Sequence, residues 1–238
     1  MKGKPSVEQP KGVPDTEAAV AKRILQVIGQ FVFLFAVLLI TSGHLDWPWL
    51  WVYVIASICL LVINLRVIPR ELIAERGQPG ENWKPWDKLL ASLMILPTLS
   101  VPVVAGLDER FDWSPQVSTP VHVIGLIGFV LGQLLFTWSM ASNPFFSTAV
   151  RLQMDRGQAV ATGGPYRYVR HPGYVGYIVM TVGSALIFGS LWALIPAGVT
   201  AVLMIVRTAL EDKTLREELA GYQSYAQQVR FRLLPGVW

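Results

Sequence analysis

Four runs of about twenty mainly apolar residues, each the length that crosses a hydrocarbon core as a helix, restrict this chain to a membrane architecture. They are Ile24 to Gly43, Trp49 to Ile68, Leu89 to Leu107 and Thr119 to Ala141. A fifth apolar region, Gly173 to Val206, is too long for one crossing and is interrupted at Gly189, Ser190 and Pro196. It reads as two short helices in a hairpin that turns near Gly189 and Ser190. Charged residues make up 15% of the sequence, against about 25% in soluble domains. The single cysteine, Cys59, excludes an internal disulfide and any cysteine-built metal site. The first residues, with Lys2, Lys4, Lys11, Pro5, Pro10 and Pro14, have no apolar core, so they read as neither a signal peptide nor a span.

Lysine and arginine placement sets the topology, because basic residues collect in cytoplasmic connections. Lys22 and Arg23 close the N-terminal arm, and Arg66, Arg70, Arg76, Lys84 and Lys88 fall between the second and third runs. Arg151, Arg156, Arg167 and Arg170 precede the hairpin, and Arg207, Lys213, Arg216, Arg230 and Arg232 follow it. The intervening connections have no basic residue or, between Asp108 and Ser118, three acids against Arg110. Six crossings with both termini cytoplasmic satisfy every segment. The net charge of +4 thus reports topology, not a nucleic-acid partner. The predicted fold is an all-α, polytopic membrane bundle of about six transmembrane helices, the last two a short hairpin, with a cytoplasmic C-terminal helix. Its parts are a polar arm over 1–23, four membrane helices over 24–148, and a loop, hairpin and tail over 149–238. Trp47, Trp49, Trp51, Trp86 and Trp113 read as interfacial anchors, and Gly125, Gly128 and Gly132 as a close helix contact. Asn64 reads either as an interhelical hydrogen-bonding residue or as a functional one.

The stretch GGPYRYVRHPGYVG, Gly163 to Gly176, carries the chemistry. Two glycines and two prolines shape a loop, and Pro172 suits the first position of a helix, which leaves His171 at the cap. The N-terminus of that helix, with Arg167 and Arg170 close in sequence, predicts a site for an anionic group. In the tail, Leu215, Leu219, Tyr222, Tyr225, Ala226 and Val229 recur at helical steps and predict one helix that prolongs the last span. Glu211 heads that stripe, where it either pairs with Arg207 four residues earlier or faces a ligand. A carboxylate accepting two hydroxyl hydrogen bonds, opposite an anion-binding helix end, suits a ligand with a diol and an acidic tail. S-adenosylmethionine has that layout, as do other acidic nucleosides.

GPYRYVRHPGYVG, then RTALED, then YQSYAQQVRFRLLPG, together resemble the isoprenylcysteine carboxyl methyltransferase family of integral membrane enzymes. They are similar more broadly to the superfamily that holds phospholipid N-methyltransferases. The resemblance covers about 90 residues from Val150 onward. It implies a cytosolic-face site for S-adenosylmethionine and a lipophilic or small acceptor (carboxylate, thiol or amine) that arrives from the membrane lipids. Tyr166, Arg170, His171, Pro172, Tyr174 and Gly176 match the family's loop motif, and Glu211 the first of its acidic pair. The second is Asp212 here, and Gln158 stands where many relatives carry histidine. Arg207 reads as a guide for an anionic acceptor or as a positive-inside anchor. Arg76, Glu81, Lys84 and Trp86 read as an interfacial loop or a lid over the site. Two further classes share parts of this pattern, a membrane NADPH-dependent sterol-type reductase and a non-catalytic membrane sensor or scaffold. No GxGxxG fingerprint supports the reductase.

Overall fold

The computed structural model describes residues 16–77 and 82–238. Lys2, Lys4 and Lys11 of the polar arm, and Glu81, therefore lie outside the described residues. Helices α1 (Thr16–Ser42), α2 (Pro48–Val67), α4 (Pro85–Phe111), α5 (Thr119–Ala141) and α7 (Leu194–Glu218) account for the long apolar runs. All five are long and apolar enough to cross a membrane, and α6 (Pro172–Ile187) is a shorter apolar helix. Short helices α3 (Arg70–Glu75) and α8 (Tyr222–Gln228) complete the all-helical bundle.

The expected hairpin is present. It turns where expected because Gly189 has φ +71°, and a Cβ there would sit 2.6 Å from the His122 ring. The expected polar arm over 1–23 is corrected at its end. Helix α1 already begins at Thr16, because Val20 is buried in a cluster with Ile68, Leu72 and Ile73. A second correction concerns the anchors: Trp47 is buried against Phe188, and Trp49 stacks on His122 with centroids 4.4 Å apart. Trp51 and Trp113 remain exposed.

Helices α5 and α6 pack most closely. A Cβ at Gly125 or Gly132 would come within 2.5 or 2.6 Å of the α6 backbone, and one at Gly176 or Gly183 within 2.5 Å of the α5 backbone. Gly128, by contrast, has nothing nearer than 3.8 Å. The contact runs past all three glycines, tightest at Gly125 and Gly132, while the Gly128 backbone lies 3.1 Å from a Cβ built at Gly183. Asn64 accepts a hydrogen bond from Thr137 of α5, an interhelical bond inside the bundle.

Charge separates the bundle's two ends. At one end Asp108 accepts hydrogen bonds from the Ser114 N–H (2.6 Å), the Ser114 hydroxyl (2.6 Å) and the Ser190 hydroxyl, which fixes the hairpin turn. At the other, basic residues tie four segments together: Arg207 pairs with Asp87 at 2.7 Å, Lys84 with Glu218 at 2.6 Å, and Arg151 with Glu75. The Gly163 to His171 loop and the tail meet at this basic end, where the backbone N–H groups of Arg170 and His171 donate to Phe231 and Arg232.

The tail departs from the single helix expected of it. Helix α7 ends at Glu218, and Gly221 at φ +81° precedes α8. A left-handed residue cannot continue a right-handed helix, and glycine takes that conformation without a Cβ clash. The break folds the stripe back over the loop, so that Leu219, Tyr222, Tyr225 and Ala226 are buried with Tyr166.

Candidate functional site

A cleft of about 100 Å³ lies at the basic end, between the loop, α7 and α8. Gln158, Tyr166, Arg170, His171, Tyr174 and Glu211 line it, all named from the sequence. Asn143, Phe146 and Ser147, from the segment after α5, line it too. Sequence reasoning missed those three, whose polar and aromatic types occur in any loop.

Glu211 and Asp212 are adjacent on α7 and have opposite surroundings. Asp212 is completely buried. It receives Arg170 (Nε to Oδ1 2.6 Å, Nη2 to Oδ2 3.2 Å), Arg216 (3.0 Å), Arg232 (2.9 Å) and the Tyr222 hydroxyl (3.1 Å), and His171 Nε2 lies 3.5 Å away. Glu211 is half-buried and, among the described residues, accepts one hydrogen bond, from the Tyr174 hydroxyl. Its remaining lone pairs are open to the cleft.

This network corrects the expected anion site. The anion that Arg170 and His171 meet is the protein's own Asp212, and Arg170 Nη1 donates to the Val229 and Arg230 carbonyls at 2.7 Å. His171 occupies the N-cap of α6 without a side-chain capping bond, and Pro172 follows as the first helical residue. Arg167 is exposed and does not line the cleft. The His171 ring lies parallel to Tyr174, with centroids 5.7 Å apart.

Pro172 and Gly176 lie away from the cleft. Pro172 is fully buried at the start of α6, and Gly176 faces Gly132 and Phe136 of α5. Neither lines the cleft. Each matches the loop motif because it shapes and packs the helix that carries Tyr174.

The alternative pairing of Glu211 with Arg207 is overturned. Arg207 instead binds Asp87 of α4 through Nε and Nη2 (2.7 and 2.9 Å) and the Thr148 carbonyl (2.9 Å). Asp87 also accepts from Val150 N and Trp83 Nε1. Arg207 is buried with its Cζ 5.5 Å from the centroid of the Tyr174 ring, behind the cleft and not at the lipid surface. Asp87 carried no sequence signal beyond a charge near a span end. Gln158 bonds the Gln153 N–H at 2.6 Å, which orders the cleft's outer wall. Arg151 also lines the cleft and pairs with Glu75, while its Nε is buried without an acceptor. Burial raises the phenol pKa values of Tyr166, Tyr222 and Tyr225, so all three are neutral hydrogen-bonding groups at ordinary pH.

The arrangement defines a polytopic helical membrane protein with a polar cleft of carboxylate, phenol and amide groups at one end of the bundle. Residues 120–220 match the phospholipid methyltransferase family model. The chain is 25% identical over 117 residues to the probable protein-S-isoprenylcysteine O-methyltransferases of Oryza sativa subsp. indica and subsp. japonica, which covers 46% of this chain and 59% of each relative. It is 33% identical over 72 residues to the protein-S-isoprenylcysteine O-methyltransferase of Schizosaccharomyces pombe, over 29% of this chain and 30% of that protein. These matches bear out the resemblance read from the loop, hairpin and tail. The chain spans less than two thirds of the length of these relatives.

Proposed function

We propose that this chain is an integral membrane methyltransferase, with S-adenosylmethionine as methyl donor and an acceptor drawn from the bilayer. The exposed half of the Glu211 carboxylate, beside a saturated and buried Asp212, is the observation that carries this reading. Two adjacent acids with one fully engaged and one open divide scaffold from ligand contact. The basic end is then cytoplasmic, by the positive-inside rule, and both termini lie on that side.

The donor groups suit the methyl donor chemically. The open oxygens of Glu211 accept from a ribose diol, and Asn143, Ser147 and Gln158 offer polar partners to an adenine edge or an amino-acid tail. Arg151 Nε, buried without an acceptor, suits the tail's carboxylate. The bound donor supplies an electrophilic methyl group on a sulfonium. The protein's tasks are alignment and exclusion of water. An acceptor lone pair forms the new bond to the methyl carbon as the carbon–sulfur pair returns to sulfur. A carboxylate or thiolate acceptor needs no base, whereas an amine must release a proton. Arg207 is paired with Asp87, so in this reading it positions Tyr174 through their cation–π contact rather than guiding the acceptor itself.

Calorimetric titration of S-adenosylhomocysteine into the detergent-purified chain tests the reading. Saturable binding is expected, weakened at least about 100-fold in Glu211→Ala, because an open carboxylate's paired hydrogen bonds to a diol are each worth about 1.5–3 kcal/mol. The melting temperature should stay within about 2 °C of the native chain, as for a residue outside the packed core. Unchanged affinity in the variant would remove Glu211 from the site.

A further inference from the structure

A second and larger cavity, about 410 Å³, lies within the bundle between α1, α2, α4, α5 and α6. Arg23 and Arg76 line its basic end, and Leu60, Val101 and Phe129 are among its apolar walls. Along those walls stand three polar side chains from two membrane helices, Ser57 and Asn64 of α2 and Gln133 of α5.

The protein itself leaves all three with unused hydrogen-bonding capacity. A serine or threonine inside a helix ordinarily donates to the carbonyl one turn back, as Ser92, Ser100, Ser139 and Thr200 do in this bundle. Ser57 does not. Its Oγ is buried and has no hydrogen-bond partner among the described residues. Asn64 Oδ1 accepts from the Thr137 hydroxyl, which leaves the Nδ2 protons unused. The side-chain amide of Gln133 lines the cavity and makes no hydrogen bond among the described residues. Thr98 and Tyr177, on the opposite wall, satisfy each other at 3.3 Å. An unpaired amide within a membrane span is costly, and an apolar side chain of similar size would avoid that cost.

The three groups form a ladder. Helices α2 and α5 run in the same direction, with Tyr53 against Phe129 (ring centroids 5.0 Å apart) and Asn64 against Thr137 further along both. Gln133 is four residues before Thr137, about 6 Å of helix rise, and Ser57 is seven before Asn64, about 10 Å. Gln133 therefore lies between Asn64 and Ser57 in depth. Spread along apolar walls, these groups suit one elongated molecule better than separate waters, each of which needs about two to four polar partners. The volume falls in the range of about 300–1,000 Å³ typical of small-molecule sites.

We propose that this cavity binds a neutral lipid whose apolar body carries an accepting oxygen, such as a ketone or ester carbonyl, with Gln133 as its principal donor and Asn64 and Ser57 flanking it. A plain hydrocarbon chain would leave all three donors unpaired, and a charged group would meet no counter-charge at their depth. The binding site stands on the cavity and its unused donors. That the bound lipid is also the methyl acceptor rests on the reading above.

The test uses the full chain in nanodiscs of diether phosphatidylcholine, which has no ester carbonyls, and two photoreactive sixteen-carbon alcohols. Both carry a diazirine near the far end, and one has a ketone at the middle of the chain where the other has a methylene. Labelling of cavity peptides should reach half-maximum at a concentration about fivefold to tenfold lower for the ketone, the gain of one hydrogen bond. Gln133→Met, which keeps the length of the side chain and loses the amide, should reduce that preference below about twofold. Labelling by the ketone-free probe and S-adenosylhomocysteine affinity should both stay within about twofold of the native chain. Thr98→Val removes a cavity hydroxyl that is already paired and should leave the preference intact. Equal labelling by both probes in the native chain, a preference undiminished in Gln133→Met, or one lost equally in Thr98→Val, overturns the proposal. Absence of S-adenosylhomocysteine binding alongside an intact ketone preference would instead refute the methyltransferase reading and leave the lipid site standing.

Discussion

The small cleft and the large cavity handle buried charge in opposite ways. Around the cleft, Asp212 is surrounded by Arg170, Arg216, Arg232 and Tyr222, a network in which each carboxylate oxygen has at least two donors. At the cavity's end, Arg76 lies beside two aromatic rings and, among the described residues, pairs with no carboxylate. A satisfied network holds a fold together, because every member's desolvation is offset by a partner. An unsatisfied one stores free energy that a ligand can release. Glu211, with a single donor, belongs with Arg76 in this respect. In the proposed reading, ligand-facing groups are marked by incomplete satisfaction and not by charge alone.

The strongest way to break this contrast is Asp212→Ala. It strands three arginines that share one buried carboxylate, and should lower stability by about 3–5 kcal/mol, or about 10 °C in melting temperature. A near-native melting temperature would show that the network is not the scaffold described here. Gly176→Ala asks a related question at the α5–α6 contact. A Cβ 2.5 Å from the Gly132 carbonyl overpacks the pair and should lower stability by about 1–3 kcal/mol, with S-adenosylhomocysteine affinity unchanged in the folded fraction. Gly128→Ala, whose Cβ would meet Gly183 and Val179 only at ordinary contact distances of 3.8–4.0 Å, is the control expected to be near neutral. A binding defect without destabilisation in Gly176→Ala would return that glycine to the ligand site. Tyr174→Phe makes the finest distinction. It removes the donor that Glu211 has among the described residues and should weaken S-adenosylhomocysteine about threefold to tenfold, the worth of a single hydrogen bond. A larger loss would mean that Tyr174 itself touches the ligand.

The spans were legible because hydrophobic length is a local property. Thr119–Ala141 falls where the apolar run does, and the hairpin turns at Gly189 as its interruption indicates. The meeting of loop and tail was legible too, since basic connections must share one side. Less visible was how single residues divide their contacts. Arg207 sits four residues from Glu211 on one helix, yet its partner is Asp87, 120 positions away in sequence. The motif residues Pro172 and Gly176 gave no local sign of whether they touch a ligand or shape the helix that does. Gly221 was an ordinary glycine in a helical pattern until its positive φ broke the tail in two.

The sequence by itself determined that this chain is a helical membrane bundle, which end carries the basic residues, and which loop and tail come together there. Those properties follow from hydropathy, charge and punctuation, and each is written in contiguous residues. Only the tertiary structure decided which acid is buried and which is open, and which arginine pairs with which acid. Desolvation and pairing depend on what lies within a few ångströms, and in this bundle those neighbours come from helices far apart in the chain.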